Sequence, residues 1–310
     1  MQRVTQIAVL EEFNLFLLIA DKALISYQLD VICPNAPNGL TANNDSANKA
    51  PKKLSGSRDV GFFVHGRMKD RTLVFYKKRE SLNSVFKVIE PIYQKSSEKK
   101  RGMFKRGNTD FFREYDEFYI PAECNGINLF HSSLAVGTVR GFEVLTLDKK
   151  VPLTVPELKD AAVQNIANSI KDQRAIAMLR ISDQEYLLVY ATCGVYINKH
   201  GDVSRSVLMN FVGNVQNAAL YGAYLILFDN DFVEIRNAAN GRLKQIIAGR
   251  EIKCLDDGGS WSSAPPGGAN GTGPAGPAIN GRTVKLVMQH PEVEKTQIVA
   301  ELLLNENMKE

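Results

Sequence analysis

Apolar positions in this chain come as pairs of short runs separated by two or three polar or glycine residues, and the pairs return from one end to the other. Leu17 to Tyr27 (LLIADKALISY), Leu134 to Leu147 (LAVGTVRGFEVLTL), Leu187 to Ile197 (LLVYATCGVYI) and Tyr224 to Ile235 (YLILFDNDFVEI) share the phrase, and Leu73 to Val88 is a looser copy. Each reads as a β-hairpin. A lone hairpin cannot bury its apolar face in water, so a phrase repeated on this scale predicts one supersecondary unit stacked many times. The pattern predicts an all-β fold, a toroidal β-propeller. Runs that open a four-stranded unit begin near Val4, Val60, Gly126, Ala175, Val215 and Ile252, which makes six units.

The spacing of these units is uneven because three stretches interrupt them, at about 33–59, 94–109 and 257–282. The first is rich in Asn, Pro, Ser and Lys, the second is basic, and the third holds eight Gly and four Pro. Such compositions do not pack into a sheet, and all three are expected to be flexible surface insertions in a single domain covering 1–310. One segment departs from the β pattern. Thr154 and Glu157 have the spacing of a capping box, Pro156 suits a first turn, and Leu158, Ala162, Ile166 and Ile170 fall four apart. A short amphipathic helix is predicted at about 157–171, its apolar stripe packed on the chain's own sheets.

Composition narrows the function. The chain has 310 residues, 44% of them hydrophobic, and its net charge of +4 arises from 38 basic against 34 acidic side chains. That balance argues against a nucleic-acid partner and makes any electrostatic recognition local. The strongest local feature is Gln94 to Gly107 (QKSSEKKRGMFKRG), where Lys95, Lys99, Lys100, Arg101, Lys105 and Arg106 against Glu98 give six minus one, or +5. Lys77, Lys78 and Arg79 lie nearby in sequence. These nine residues are the candidate partner-binding set. They read either as a docking patch for an acidic protein or anionic membrane, or as an ordinary solvated loop.

Catalytic signals are weak. Gly271 to Gly276 matches GxGxxG, but Pro265, Pro266, Pro274 and Pro277 surround it, and no strand-to-helix context accompanies it. His65, His131, His200 and His290 are scattered, and Cys33, Cys124, Cys193 and Cys254 form no CxxC pair. No metal, cofactor or catalytic residue is therefore expected, and the cysteines are read as reduced thiols. The acidic pairs Glu114 with Asp116 and Asp256 with Asp257 leave a propeller hydrolase as the least favoured reading. The N-terminal stretch lacks a secretory pattern and no run of 18 apolar residues occurs, so the expected location is cytoplasmic, with recruitment to the inner face of the plasma membrane as an extension.

Several phrases also carry a resemblance. Val4 to Glu12 (VTQIAVLEE), Ala20 to Asp30 (ADKALISYQLD), Leu73 to Lys78 (LVFYKK), Gly141 to Leu147 (GFEVLTL) and the strand-like Val60 to Gly66 resemble the citron homology domain, in the version found in fungal Rho guanine-nucleotide exchange factors. The resemblance spans nearly the whole chain. It implies a seven-bladed propeller without catalytic residues, a protein-interaction scaffold whose partner is a Rho-type small GTPase or another regulator in cell-wall integrity and actin or polarity signalling. It also implies that one blade, some 40 residues at usual blade length, is missing upstream. The last strands, Val284 to Gln289 and Thr296 to Leu304, would then form an incomplete final blade, or the ring would be visibly gapped. The isolated domain is expected to be a monomer. Peripheral membrane attachment through the basic stretch is the alternative.

Overall fold

The computed structural model describes residues 3–32, 52–54, 58–79, 83–93, 111–258 and 283–304. The described residues are almost wholly antiparallel sheet. The strands group into six sheets, five of four strands and a last one of three, each running up and down in sequence order. The first strands are Val4–Leu10, Val60–Met68, Cys124–Leu129, Ala175–Arg180, Asn217–Tyr221 and Lys253–Asp256. Among the described residues the last sheet has the three strands Lys253–Asp256, Val284–Gln289 and Gln297–Leu302.

The chain divides into two compact units, one of residues 1–66 and 70–122 and the other of 67–69 and 123–310. In the first unit, Leu15, Leu17, Ile19 and Leu24 of the first sheet pack with Phe63, Val74, Tyr76 and Ile89 of the second. Their inner strands are joined by one side chain: Gln6 donates to the Phe63 carbonyl at 2.6 Å and accepts from the Phe63 amide at 3.0 Å. The turn between Leu15–Ala20 and Ala23–Gln28 is made by Asp21 and Lys22, both left-handed at φ 48° and 62°. That is the type I′ geometry, whose twist matches the flanking strands.

In the second unit, alternation with period two divides the central strands of the fourth and fifth sheets between two cores. In the fourth sheet Met178, Leu188 and Val195 face a cluster with Ala135, Phe142 and Val155 of the third sheet. Their neighbours Ala177, Leu179, Leu187 and Val189 face the fifth sheet instead, against Ala218, Leu220, Leu225 and Leu227. The fifth sheet repeats the division, with Ala219, Ile226 and Phe228 turned to Ile252, Val284 and Leu286 of the last. Burial on both faces explains why the central strands read as unbroken apolar runs (LLVY, LILF) rather than as alternating ones. Gly141 holds φ at +120°, and a Cβ there would lie 2.8 Å from the Val155 carbonyl oxygen, so the third sheet turns its corner only with glycine.

Two expectations need correction. Lys52–Lys53, inside the stretch read as an insertion, forms the outer strand of the first sheet, pairing with Ser26 and Ile25. The helix also begins later than its capping-box spacing suggests. Leu153–Val155 is a strand, and the Thr154 hydroxyl donates to both Glu143 carboxylate oxygens at 3.0 Å rather than capping a helix. Asp160 caps instead, accepting from the Ala162 amide at 2.9 Å, and a 3-10 turn at Ala161–Val163 leads into the helix Gln164–Ile170. Of the predicted stripe, Ile166 and Ile170 enter the core between the third and fourth sheets and Leu158 packs at its margin, while Ala162 is exposed.

Candidate interaction surface

In a four-stranded up-and-down sheet, the link between strands one and two and the link between strands three and four leave from the same end. At that end of the first sheet lie the Glu11–Phe13 turn and the connection that resumes at Lys52; at that end of the second lies the connection from residue 92 to residue 111. These ends touch. The Phe13 and Tyr93 rings are 4.4 Å apart, and the Tyr93 hydroxyl donates to the Glu12 carboxylate. The Lys52 ammonium lies 4.1 Å from the centre of the Phe111 ring, a cation–π contact. The Ile92 amide donates to the Phe111 carbonyl at 2.9 Å and closes the base of the second connection. Phe13 and Phe111 both belong to the core of the first unit, so the described ends of the two long connections meet on one packed footing.

This footing was not picked out from the sequence, although a signal existed. Tyr93 and Phe111 bracket the basic stretch, and aromatic residues at both edges of a polar insertion mark where it is tied to a core. Of the nine candidate residues, Lys95, Lys99, Lys100, Arg101, Lys105 and Arg106 lie outside the described residues. The remaining three stand elsewhere on the second sheet. Lys77, Lys78 and Arg79 end the strand Arg71–Arg79, where Lys78 pairs with Val85. The basic stretch leaves after Pro91, six residues further along the neighbouring strand, or about 20 Å at the rise of a strand. Lys77 is also only 8% exposed, directly across from Phe86.

The remaining candidate chemistry is dispersed. Glu114 and Asp116 are on the outermost strand of the second sheet, Phe112–Ile120, and Asp116 accepts from the Glu117 amide at 2.7 Å. Asp256 faces Lys285 at 3.8 Å in the last sheet. Among the described residues no three His, Cys, Asp or Glu side chains are placed to hold a metal, and no helix is long and apolar enough to cross a membrane. The GxGxxG string at Gly271 to Gly276, the stretch 259–282 around it and Cys33 lie outside the described residues.

Cys124, Cys193 and Cys254 form no disulfide. Burial pushes Cys193 from 9.0 up to about 11, with a hydrogen bond from Gln173 pulling the other way. Burial, then the carboxylates of Asp257 and Asp256, push Cys254 from 9.0 up to about 12. Raised folded values mean that the thiols' contribution to stability is complete below about pH 9 and is lost as the pH climbs through 11 and 12. Neither thiol is expected to react with Ellman's reagent in the native chain at mildly alkaline pH, because the thiolate is the nucleophile. A stoichiometric fast reaction at either would contradict this. Glu185 shows the opposite case: burial alone would raise it, but the guanidinium of Arg205 and the hydroxyl of Ser204 hold it below the usual carboxylate value. Arg205 also covers the Tyr196 ring at 3.6 Å, and Tyr196 donates to the Ala238 carbonyl at 2.6 Å, which ties the fourth sheet to the fifth.

Within each unit, up-and-down antiparallel sheets pack face on face with their neighbours in sequence order, the packing of β-propeller blades. The chain belongs to the CNH (citron homology) domain family, whose model matches residues 1–258 and so runs across both units. It is 32% identical to Rho1 guanine nucleotide exchange factor 1 of Schizosaccharomyces pombe over 82% of this chain and 19% of that protein. Rho1 guanine nucleotide exchange factor 3 of the same yeast is 28% identical over 97% of this chain and 22% of its own length. Among solved structures, the AfRom2 CNH domain superimposes with a TM-score of 0.71 at 27% identity, covering 97% of this chain and 81% of its own. The chain spans about a fifth of the curated relatives it matches.

Proposed function

We propose that this chain is the non-catalytic interaction domain of a Rho-type exchange factor, holding a Rho-type small GTPase or a signalling regulator in cell-wall integrity and actin or polarity signalling. One observation carries the reading: relatives named as Rho1 exchange factors align with four-fifths to nearly all of the chain at 28% to 32% identity. The geometry supports it, because recognition usually sits on loops held by a rigid frame, and two long connections share one footing on the first unit. The mechanism is localisation. Keeping the GTPase beside an exchange module raises its effective concentration and strengthens overall engagement by ~10² to 10⁴ without new contacts. The cell compartment that follows is the cytoplasm, with the charge of the 94–107 stretch available for attachment to an anionic inner membrane face.

Calorimetric titration of the chain with a Rho-type GTPase, loaded with GDP or a GTP analogue, at low and at moderate salt, tests this directly. Saturable heat in at least one nucleotide state is the expected result. No heat at either salt, with sedimentation on acidic vesicles that disappears when 94–107 is neutralised, would replace the GTPase with the membrane.

A further inference from the structure

The first sheet packs one face and leaves the other open. Alternation along its strands sends Leu15, Leu17, Ile19 and Leu24 into the core shared with the second sheet, so the residues between them point the opposite way. Cross-strand register sets those residues in two rows, Ile7 beside Leu18 beside Ile25, and Val9 beside Phe16 beside Tyr27. All six are aliphatic or aromatic, and the Phe16 and Tyr27 rings meet edge to face at 6.5 Å. None is buried. Ile7 is 61% and Val9 43% exposed, and the other four are half-buried. Among the described residues the charged side chain in register with these rows is Lys53, opposite Ile25 on the outer strand, and its stem is long enough to keep the ammonium in water.

A solvated sheet face of this chain looks different. On the exposed side of the last sheet, Lys285 stands between Asp256 and Glu301 at 3.8 Å from each, a ladder of charge across the three strands. The six side chains of the first sheet instead form an apolar patch on the order of 400 Å², within the ~300–600 Å² of the largest patch on an ordinary monomer, which often serves a function. The lack of charge within the rows selects the occupant. A two-fold axis sets a surface against itself, which brings like charges together on a charged face and brings none together here. Face-to-face sheet packing is also the contact this fold already uses between its own sheets. We propose that the open face of the first sheet is the interface of a homodimer, in which the rows through Ile7 and Val9 of one copy pack on the same rows of a second. Two such faces with their rims bury about 1,000 Å², the lower limit for a specific interface, so the dimer is weak and exchanges with monomer. The proposal replaces the monomer expected from the sequence and does not depend on the GTPase reading.

Sedimentation velocity on the whole chain, from about 5 µM to about 300 µM, reads the association directly. The weight-average sedimentation coefficient should climb with concentration toward that of a dimer, and the climb should persist in about 0.5 M salt because apolar contact is not screened. Ile7→Lys and Val9→Lys, made separately, should each weaken the dimer by at least about tenfold with unchanged circular dichroism, since both alter exposed side chains. The Ile7 and Ile25 methyl resonances should move with concentration, while Ile19 on the packed face stays still. A monomer at every concentration, association that survives both substitutions, or association that disappears in high salt would overturn the proposal. The first of these outcomes would leave the face to the apolar surface of a different protein. Ile7→Lys should titrate with the GTPase as the parent chain does, which separates failure here from failure of the function above.

Discussion

Phe86→Ala is expected to destabilise the first unit by about 3–5 kcal/mol, the cost of removing a large aromatic side chain from a core that cannot collapse onto the cavity. Phe86 is fully buried, stacks on Phe118 across the strand pair at 4.9 Å, and meets Phe62 edge to face at 6.2 Å. The loss thus combines transfer, cavity and ring-pair terms, which do not add simply. Against a stability of ~5–15 kcal/mol for an ordinary domain, this is a large share. The urea midpoint should fall with little change in slope, and Phe86→Leu should retain most of the stability. A midpoint shifted by well under 1 kcal/mol would mean that the second sheet is not packed as described.

Glu234→Ala should have a comparable effect for an electrostatic reason. Glu234 is 1% exposed, pairs with Arg236, and accepts from the Val212 amide at 3.0 Å, while Arg236 donates onward to the Gly241 carbonyl at 2.8 Å. Deleting the carboxylate strands a mostly buried guanidinium and an amide at once, a loss of about 3–5 kcal/mol. Glu234→Gln keeps an acceptor for the Val212 amide and should cost less. Replacing Glu234 and Arg236 together by Met and Leu should recover much of the loss, since a well-packed apolar pair replaces buried ions at little or no cost. If the double replacement is as unstable as Glu234→Ala, the ion pair itself contributes more than this account allows.

The repeat was legible because the physics behind it is local. A sheet buried on both faces demands apolar runs of strand length, and the units read as starting near Val4, Val60, Gly126, Ala175, Val215 and Ile252 begin in the structure at Val4, Val60, Cys124, Ala175, Asn217 and Lys253. What was missed depends on distant partners. Lys52–Lys53 becomes a strand only because Ile25 and Ser26 offer an open edge. Thr154 has helix-capping chemistry, yet Glu143 across the sheet takes its hydroxyl, and the β-branched Thr154 and buried Val155 suit an edge strand. Lys77 looks like one of three surface cations and is buried, directly across the strand pair from Phe86. The footing made by Glu12, Phe13, Lys52, Tyr93 and Phe111 joins residues some 80 positions apart, and no window along the sequence could have assembled it.

Hydrogen–deuterium exchange on the chain with and without a saturating Rho-type GTPase tests the central claim most directly. The account predicts slowed exchange at the footing of the first unit, in the Glu11–Asn14 turn, around Lys52 and Leu54, and at Ile92 and Phe111, with the sheet cores unchanged. No slowing anywhere, or slowing confined to residues 123–304, would contradict it.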